Sequence, residues 1–232
     1  MAQAVRRLPR HESWTKAGPV ITELPPEELE RVEEERTLTI GQPVTLGLWS
    51  FATGTWIAGT VMAGIFPTIA MAAVAPILIV FAGMSQFIAG LVAYRRADTL
   101  AATAFCSFGA FNTAAGFAAM LQAVKLAPLT GDPVVFLGFL LISFGFIAFV
   151  LSAAALRLNL ALVAVLLALA IGYTLTGIPR VSGSVGAGAL GMVGQIGGYF
   201  LMLSAGFAYY TGLAVVVNTS LKRTLLPLWG EL

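Results

Sequence analysis

Val134-Val-Phe-Leu-Gly-Phe-Leu-Leu-Ile-Ser-Phe-Gly-Phe-Ile-Ala-Phe-Val-Leu-Ser-Ala-Ala-Ala-Leu156 contains no charged side chain and lies between Asp132 and Arg157. About 20 apolar residues of helix cross a hydrocarbon layer ~30 Å thick. A charge at the centre of that layer costs roughly 3 kcal/mol even on lenient insertion scales. The stretch therefore reads as a membrane span, and the same pattern extends on both sides of it. From Gly41 to Leu232 only ten residues are Asp, Glu, Lys or Arg, all set between long apolar runs. Six spans are expected: Val44 to Ile65, Ile69 to Tyr94, Thr99 to Val124, Val134 to Leu156, Leu158 to Thr176 and Leu190 to Val217. The fold class that follows is an all-α, polytopic membrane protein with six transmembrane helices.

Composition agrees with this reading. Hydrophobic residues make up 58% and charged residues 10% of the 232 positions, and mean hydropathy is +0.89. Soluble domains average about 25% charged residues. The net charge of +2 is small and scattered, and no dense Lys/Arg patch with interleaved aromatics points to nucleic acid. A single cysteine, Cys106, excludes an internal disulfide and a cysteine-based zinc cage. No span holds an acid/base pair, a nucleophile with its base, or a metal-ligand set, so neither an enzyme, a cofactor nor a metal is expected.

Residues 1–40 differ from the rest, with six basic and eight acidic side chains, four prolines and the chain's one histidine, His11. This block reads as a cytoplasmic tail with a short helix from Pro25 to Arg36, since proline and carboxylates are favoured in a first helical turn. Residues 41–227 form the six-span domain, and 228–232 a C-terminal tail. Arg95, Arg96, Arg157, Lys222 and Arg223 lie on one side of the spans and only Lys125 and Arg180 on the other. The positive-inside rule then places both termini in the cytoplasm. Gly177 to Ala189 is expected to form the fifth-to-sixth loop. Gly83 and Gly90, and Gly191, Gly194, Gly197 and Gly198, are candidates for helix packing, because helix association in lipid depends on close backbone approach.

Three stretches carry a resemblance. The first is Gln42-Pro-Val-Thr-Leu-Gly-Leu-Trp-Ser-Phe51. The second is Ser85-Gln-Phe-Ile-Ala-Gly-Leu-Val-Ala-Tyr94 with Thr103-Ala-Phe-Cys-Ser-Phe-Gly109, and the third is Asn218 with Arg223-Thr-Leu-Leu-Pro227. In that order, from about Gln42 to Pro227, they resemble the acetate uptake transporter family, which includes bacterial succinate-acetate permeases and yeast acetate and ammonia transport proteins. Pro43, Leu46, Gly47, Leu48 and Phe51 match the family's entrance signature, while Gln42 replaces its Asn and Thr45 its second proline. The resemblance implies a hydrophobic gate formed by Phe51, Phe108 and Leu162, with phenylalanine at a third-span position that is commonly tyrosine. It also implies a ring-like homo-oligomer, a hexamer, in which each protomer has its own pathway for a small carboxylate.

Thr53, Thr55, Ser85, Gln86, Thr103, Ser107, Asn112 and Thr113 are polar groups able to hold a carboxylate without a counter-charge. Among them Gln86 and Asn112 stand out, because a long amide in an apolar run needs a partner. Relatives acting as proton symporters are expected to carry titratable groups in their spans, and here no Asp, Glu or His lies inside any of the six. The reading is transport of acetate or a similar short monocarboxylate, either channel-like or with the proton carried by the substrate. Two alternatives stay open: a conduit for ammonia or another small neutral solute, and a non-transporting membrane scaffold or accessory subunit.

Overall fold

The structure is a computed structural model, and it describes Pro25, Glu27 and residues 41–67, 69–124, 132–183 and 190–230. The helix expected from Pro25 to Arg36 and His11 lie outside the described residues, apart from Pro25 and Glu27. Residues 42–232 form one unit. Its helices are α1 (Val44–Met62), α2 (Ala70–Arg95), α3 (Thr99–Ala123), α4 (Asp132–Ala155), α5 (Leu160–Val181) and α6 (Gly191–Leu221). Helices α2 to α6 are each long and apolar enough to cross a membrane, which makes this an integral membrane protein. α1 has 19 residues, among them three glycines and four threonines.

α1 packs on α6, α6 on α5 and α5 on α4, while α2 and α3 pair and close against α1. The outer surface is what lipid requires: Phe136, Phe139, Phe146 and Phe149 of α4 are all exposed. With apolar side chains on both sides of each helix, hydrophobic burial does not choose the partners, and close packing does. A methyl group on Gly109 would stand 2.6 Å from the backbone nitrogen of Phe87, and one on Gly90 would stand 2.7 Å from that of Cys106. Gly83 abuts Thr113 in the same α2–α3 crossing.

The glycines of α6 divide in two. Gly197 lies against the Gly172 carbonyl of α5, and Gly198 against Met62 and Ala63 just beyond α1, so this face packs within the chain. A methyl group on Gly194 would meet Leu190 of its own chain segment first, and Gly191 has open space around it. Gly191 starts α6 from a left-handed conformation, φ +61°, which glycine adopts freely, and no contact with the described residues gives it a packing partner.

One boundary and one helix interior depart from expectation. α5 continues past Thr176 through Pro179 to Val181. Gly177 sits in a close crossing with the Gly138 carbonyl of α4, and the Arg180 side chain donates to the Thr176 carbonyl, both of which hold the last turn. α2 contains Pro76, followed by a π-helical segment, Leu78–Ser85. Proline removes a backbone donor inside a helix, and wider turns of this kind occur often at functional sites. The Ser85 hydroxyl donates five residues back to the Val80 carbonyl at 3.2 Å, in the π register.

Candidate functional site

A cavity of about 850 Å³ opens between the α2–α3 turn, the α4–α5 turn and the C-terminal segment, and reaches into the bundle as far as Phe51 and Phe108. Its mouth is polar, with Asp98, Arg157, Asn159 and Asn218. Asp98 and Asn159 also cap helices: Asp98 Oδ1 accepts from Ala101 N at 2.9 Å, and Asn159 Oδ1 accepts from Leu162 N at 2.8 Å. Such caps satisfy first-turn donors that would otherwise be orphaned. The wall turns apolar inward, through Val44, Leu48, Phe105, Leu162, Val165 and Leu166.

Phe51, Phe108 and Leu162 all line this cavity. The Phe51 and Phe108 rings meet with centroids 6.0 Å apart, tilted by 59°. Leu162 stands nearer the mouth, in the first turn of α5. The aromatic cluster extends beyond the expected pair: Phe108 also touches Phe144 of α4 at 5.6 Å and Tyr173 of α5 at 6.3 Å. Phe111 packs on Phe144 and Tyr173 in turn. Tyr173 was not singled out in the sequence, where a tyrosine among apolar residues carries no pattern of its own.

Leu48 faces the cavity, Pro43 and Gly47 are buried without lining it, and Leu46 points away, 44% exposed. The correction for Leu46 follows from helical geometry, since at 3.6 residues per turn it lies on the opposite side of α1 from Leu48 and Phe51. Ser107 is half-buried and outside the cavity lining. Thr53 turns outward to the Tyr209 hydroxyl at 2.9 Å. Pro43 gives α1 no side-chain cap, so the helix presents first-turn amides beside Gln42 and Val44, both of which line the cavity.

Gln86 and Asn112 are each other's partners. Asn112 Nδ2 donates to Gln86 Oε1 at 3.1 Å and to the Ala82 carbonyl of the π segment at 3.3 Å. Gln86 lines the cavity, and Asn112 holds it from behind. Leucine at position 112 would strip a buried amide of its donor, which costs about 1–3 kcal/mol. Asn112→Leu is therefore expected to lower thermal stability in detergent, and adding Gln86→Leu to recover part of the loss. Strictly additive losses in that double-mutant cycle would refute the pairing.

The C-terminal segment belongs to the site. Asn218 accepts from Leu225 N and Leu226 N and donates to the Leu226 carbonyl. Beyond it, the carbonyls of Leu228 and Trp229 accept from Ala161 N and Leu160 N, capping α5. Trp229 stacks on Tyr210 at 5.6 Å and lines the cavity. Residues from Leu228 to Gly230, read from sequence as a tail, thus form part of the cavity wall.

Comparison with known proteins fits this geometry. The profile of the GPR1/FUN34/yaaH family matches residues 23–228. The chain belongs to that family. It is 27% identical over 192 residues to the succinate-acetate/proton symporter SatP of Escherichia coli K12, covering 83% of this chain and 96% of that protein. An uncharacterized protein of Methanothermobacter thermautotrophicus is 26% identical over 191 residues, covering 80% of this chain and 89% of the relative. Among solved structures, that of the bacterial acetate channel SatP matches with a TM-score of 0.71 and 25% identity, covering 81% of this chain and 98% of that one.

Proposed function

We propose that this protein moves acetate, or a monocarboxylate of similar size, across the membrane through a pathway within each protomer. One observation carries the reading: a cavity with a polar mouth ends on the Phe51–Phe108 pair, in a fold that matches an acetate channel. The cationic Arg157 and the uncapped amides of α1 suit an anion at the mouth. Further in, Gln86 offers an uncharged amide that can replace part of a carboxylate's hydration and release it again. Phe51, Phe108 and Leu162 act as the hydrophobic gate.

In this reading α1 is the sixth span, the protomers form a ring of six, and both termini face the cytoplasm. The cavity mouth, flanked by Arg95, Arg96 and Arg157, is then the cytoplasmic vestibule. A cysteine placed at Thr224 in a Cys106→Ala background is expected to resist membrane-impermeant maleimide in intact cells and to react after permeabilisation. Labelling in intact cells would overturn the orientation.

Uptake of labelled acetate by proteoliposomes of the purified protein tests the function. Saturable uptake competed by other short carboxylates is expected. The uncharged gate also suits a small neutral solute such as ammonia, and uptake of that solute with indifference to carboxylate competitors would favour this second reading.

A further inference from the structure

Asn112 Nδ2 carries two hydrogens, and the structure gives it two acceptors: the Ala82 carbonyl at 3.3 Å and Gln86 Oε1 at 3.1 Å. The carbonyl decides the geometry. A backbone carbonyl only accepts, so the end of the Asn112 amide that faces Ala82 is its NH2 group. The same nitrogen then fixes which end of Gln86 turns toward α3, namely its oxygen. The two ends of an amide are alike in shape, and here it is a backbone group that tells them apart for both side chains in sequence.

What is left for the cavity is Gln86 Nε2. Gln86 lines the cavity, and its Nε2 has no hydrogen-bond partner among the described residues. It is not one of the fully buried atoms left unpaired either, which are Ser50 Oγ and Thr55 Oγ1. Nε2 is therefore the part of the amide that the cavity reaches. Gln86 shows donors to the pathway and keeps its acceptor behind. Three helices are shaped around this arrangement: Gln86 follows directly on the π segment of α2, Asn112 comes from α3, and Gly54 of α1 leaves room for both. A methyl group on Gly54 would stand 2.7 Å from Ala82 Cβ and 3.4 Å from Asn112 Cγ and Nδ2.

We propose that Asn112 is a positioning residue that sets the polarity of the pathway by locking Gln86 with its amide donors toward the solute. The inference rests on the proposed carboxylate transport and adds to it a determinant of which solutes are accepted. A carboxylate only accepts hydrogen bonds, so a donor-only wall suits it. An isosteric primary amide such as acetamide brings hydrogens of its own, and a wall that shows no acceptor leaves them unpaired, the situation in which polar sites discriminate strongly. An unheld glutamine turns either end to the solute and has to be ordered on binding, which costs affinity for the anion.

The test is labelled-acetate uptake by proteoliposomes of the wild type, Asn112→Leu, Gln86→Leu and the double variant, with acetamide as competitor and size-exclusion profiles to verify folding. Asn112→Leu is expected to raise the KM for acetate about tenfold, the scale of one hydrogen bond to a charged group, with kcat largely kept. The preference for acetate over acetamide should fall with it. In the Gln86→Leu background the same substitution should change neither KM nor preference further. A wild-type KM and preference in Asn112→Leu would overturn the positioning role and leave the transport reading intact. An Asn112→Leu effect that persists undiminished without Gln86 would assign Asn112 a packing role and overturn the proposal as well. A wild-type KM and preference in Gln86→Leu would remove Gln86 from the pathway and the positioning role with it. An inactive wild type would overturn the transport reading and this inference together. If Asn112→Leu failed to fold, Asn112→Ala, which cuts the amide away without adding bulk, would decide by the same criteria.

Discussion

Phe51→Ala is expected to admit carboxylates larger than acetate, raising the uptake of lactate or succinate relative to acetate about tenfold. The magnitude is the lower end of what one methylene's worth of pocket space confers on discrimination, and a phenyl ring removes more than that. Phe51 is buried, lines the cavity and contacts Phe108 at its inner end. Removing its ring widens the passage and lowers the cost of wetting it, the two ways a hydrophobic constriction selects. Phe108 is the less informative position, because its ring also supports Phe144 and Tyr173. Phe108→Ala would therefore leave a cavity within the aromatic cluster and cost about 3–5 kcal/mol of stability. Leu162→Ala should act in the same direction as Phe51→Ala and more weakly, since Leu162 is only half-buried and nearer the mouth. Unchanged rate and substrate range in Phe51→Ala would refute the gate.

The helices were legible because the bilayer permits few alternatives: long charge-free runs have to be satisfied internally, and α-helix does that within one segment. Their ends were less legible. α5 runs through Pro179 because Gly177 closes on Gly138 of α4, a tertiary contact that no local signal announces. That Gln86 and Asn112 each need a partner could be read from desolvation; that they find each other depends on the α2–α3 crossing. Repeat spacing in α6 picked out a glycine stripe but not which members touch another helix of the chain; Gly197 and Gly198 lie at such crossings, while Gly191 takes a left-handed backbone angle. The largest omissions, Tyr173 and Trp229, are aromatic residues whose roles depend on what folds against them. Tyr173 looks like any helical aromatic until Phe108 and Phe111 are seen beside it. Trp229 follows a proline at the end of the chain and acquires its place through Tyr210 and the first turn of α5.

The pH dependence of uptake is expected to follow the substrate's acid-base equilibrium and not a protein group. Between Val44 and Val217 the only carboxylates are Asp98 and Asp132, and there is no histidine. Asp98 caps the start of α3 and Asp132 is the first residue of α4, so both stand at helix ends. Tyrosine, cysteine and arginine side chains ordinarily titrate above about pH 8, far from a carboxylic acid. If the neutral acid crosses the gate, uptake rises as pH falls through the acid's pKa; if the anion crosses, uptake falls over the same interval. In either case the midpoint belongs to the solute. Replacing acetate with formate, the conjugate base of a stronger acid, should therefore move the midpoint of the proteoliposome profile to lower pH by the difference between the two acids' pKa values. Asp98→Asn and Asp132→Asn should leave that midpoint in place. A midpoint that stays fixed between acetate and formate, and moves when Asp98 or Asp132 is neutralised, would show that the protein supplies the proton site and that transport is coupled through a helix end and not through the substrate.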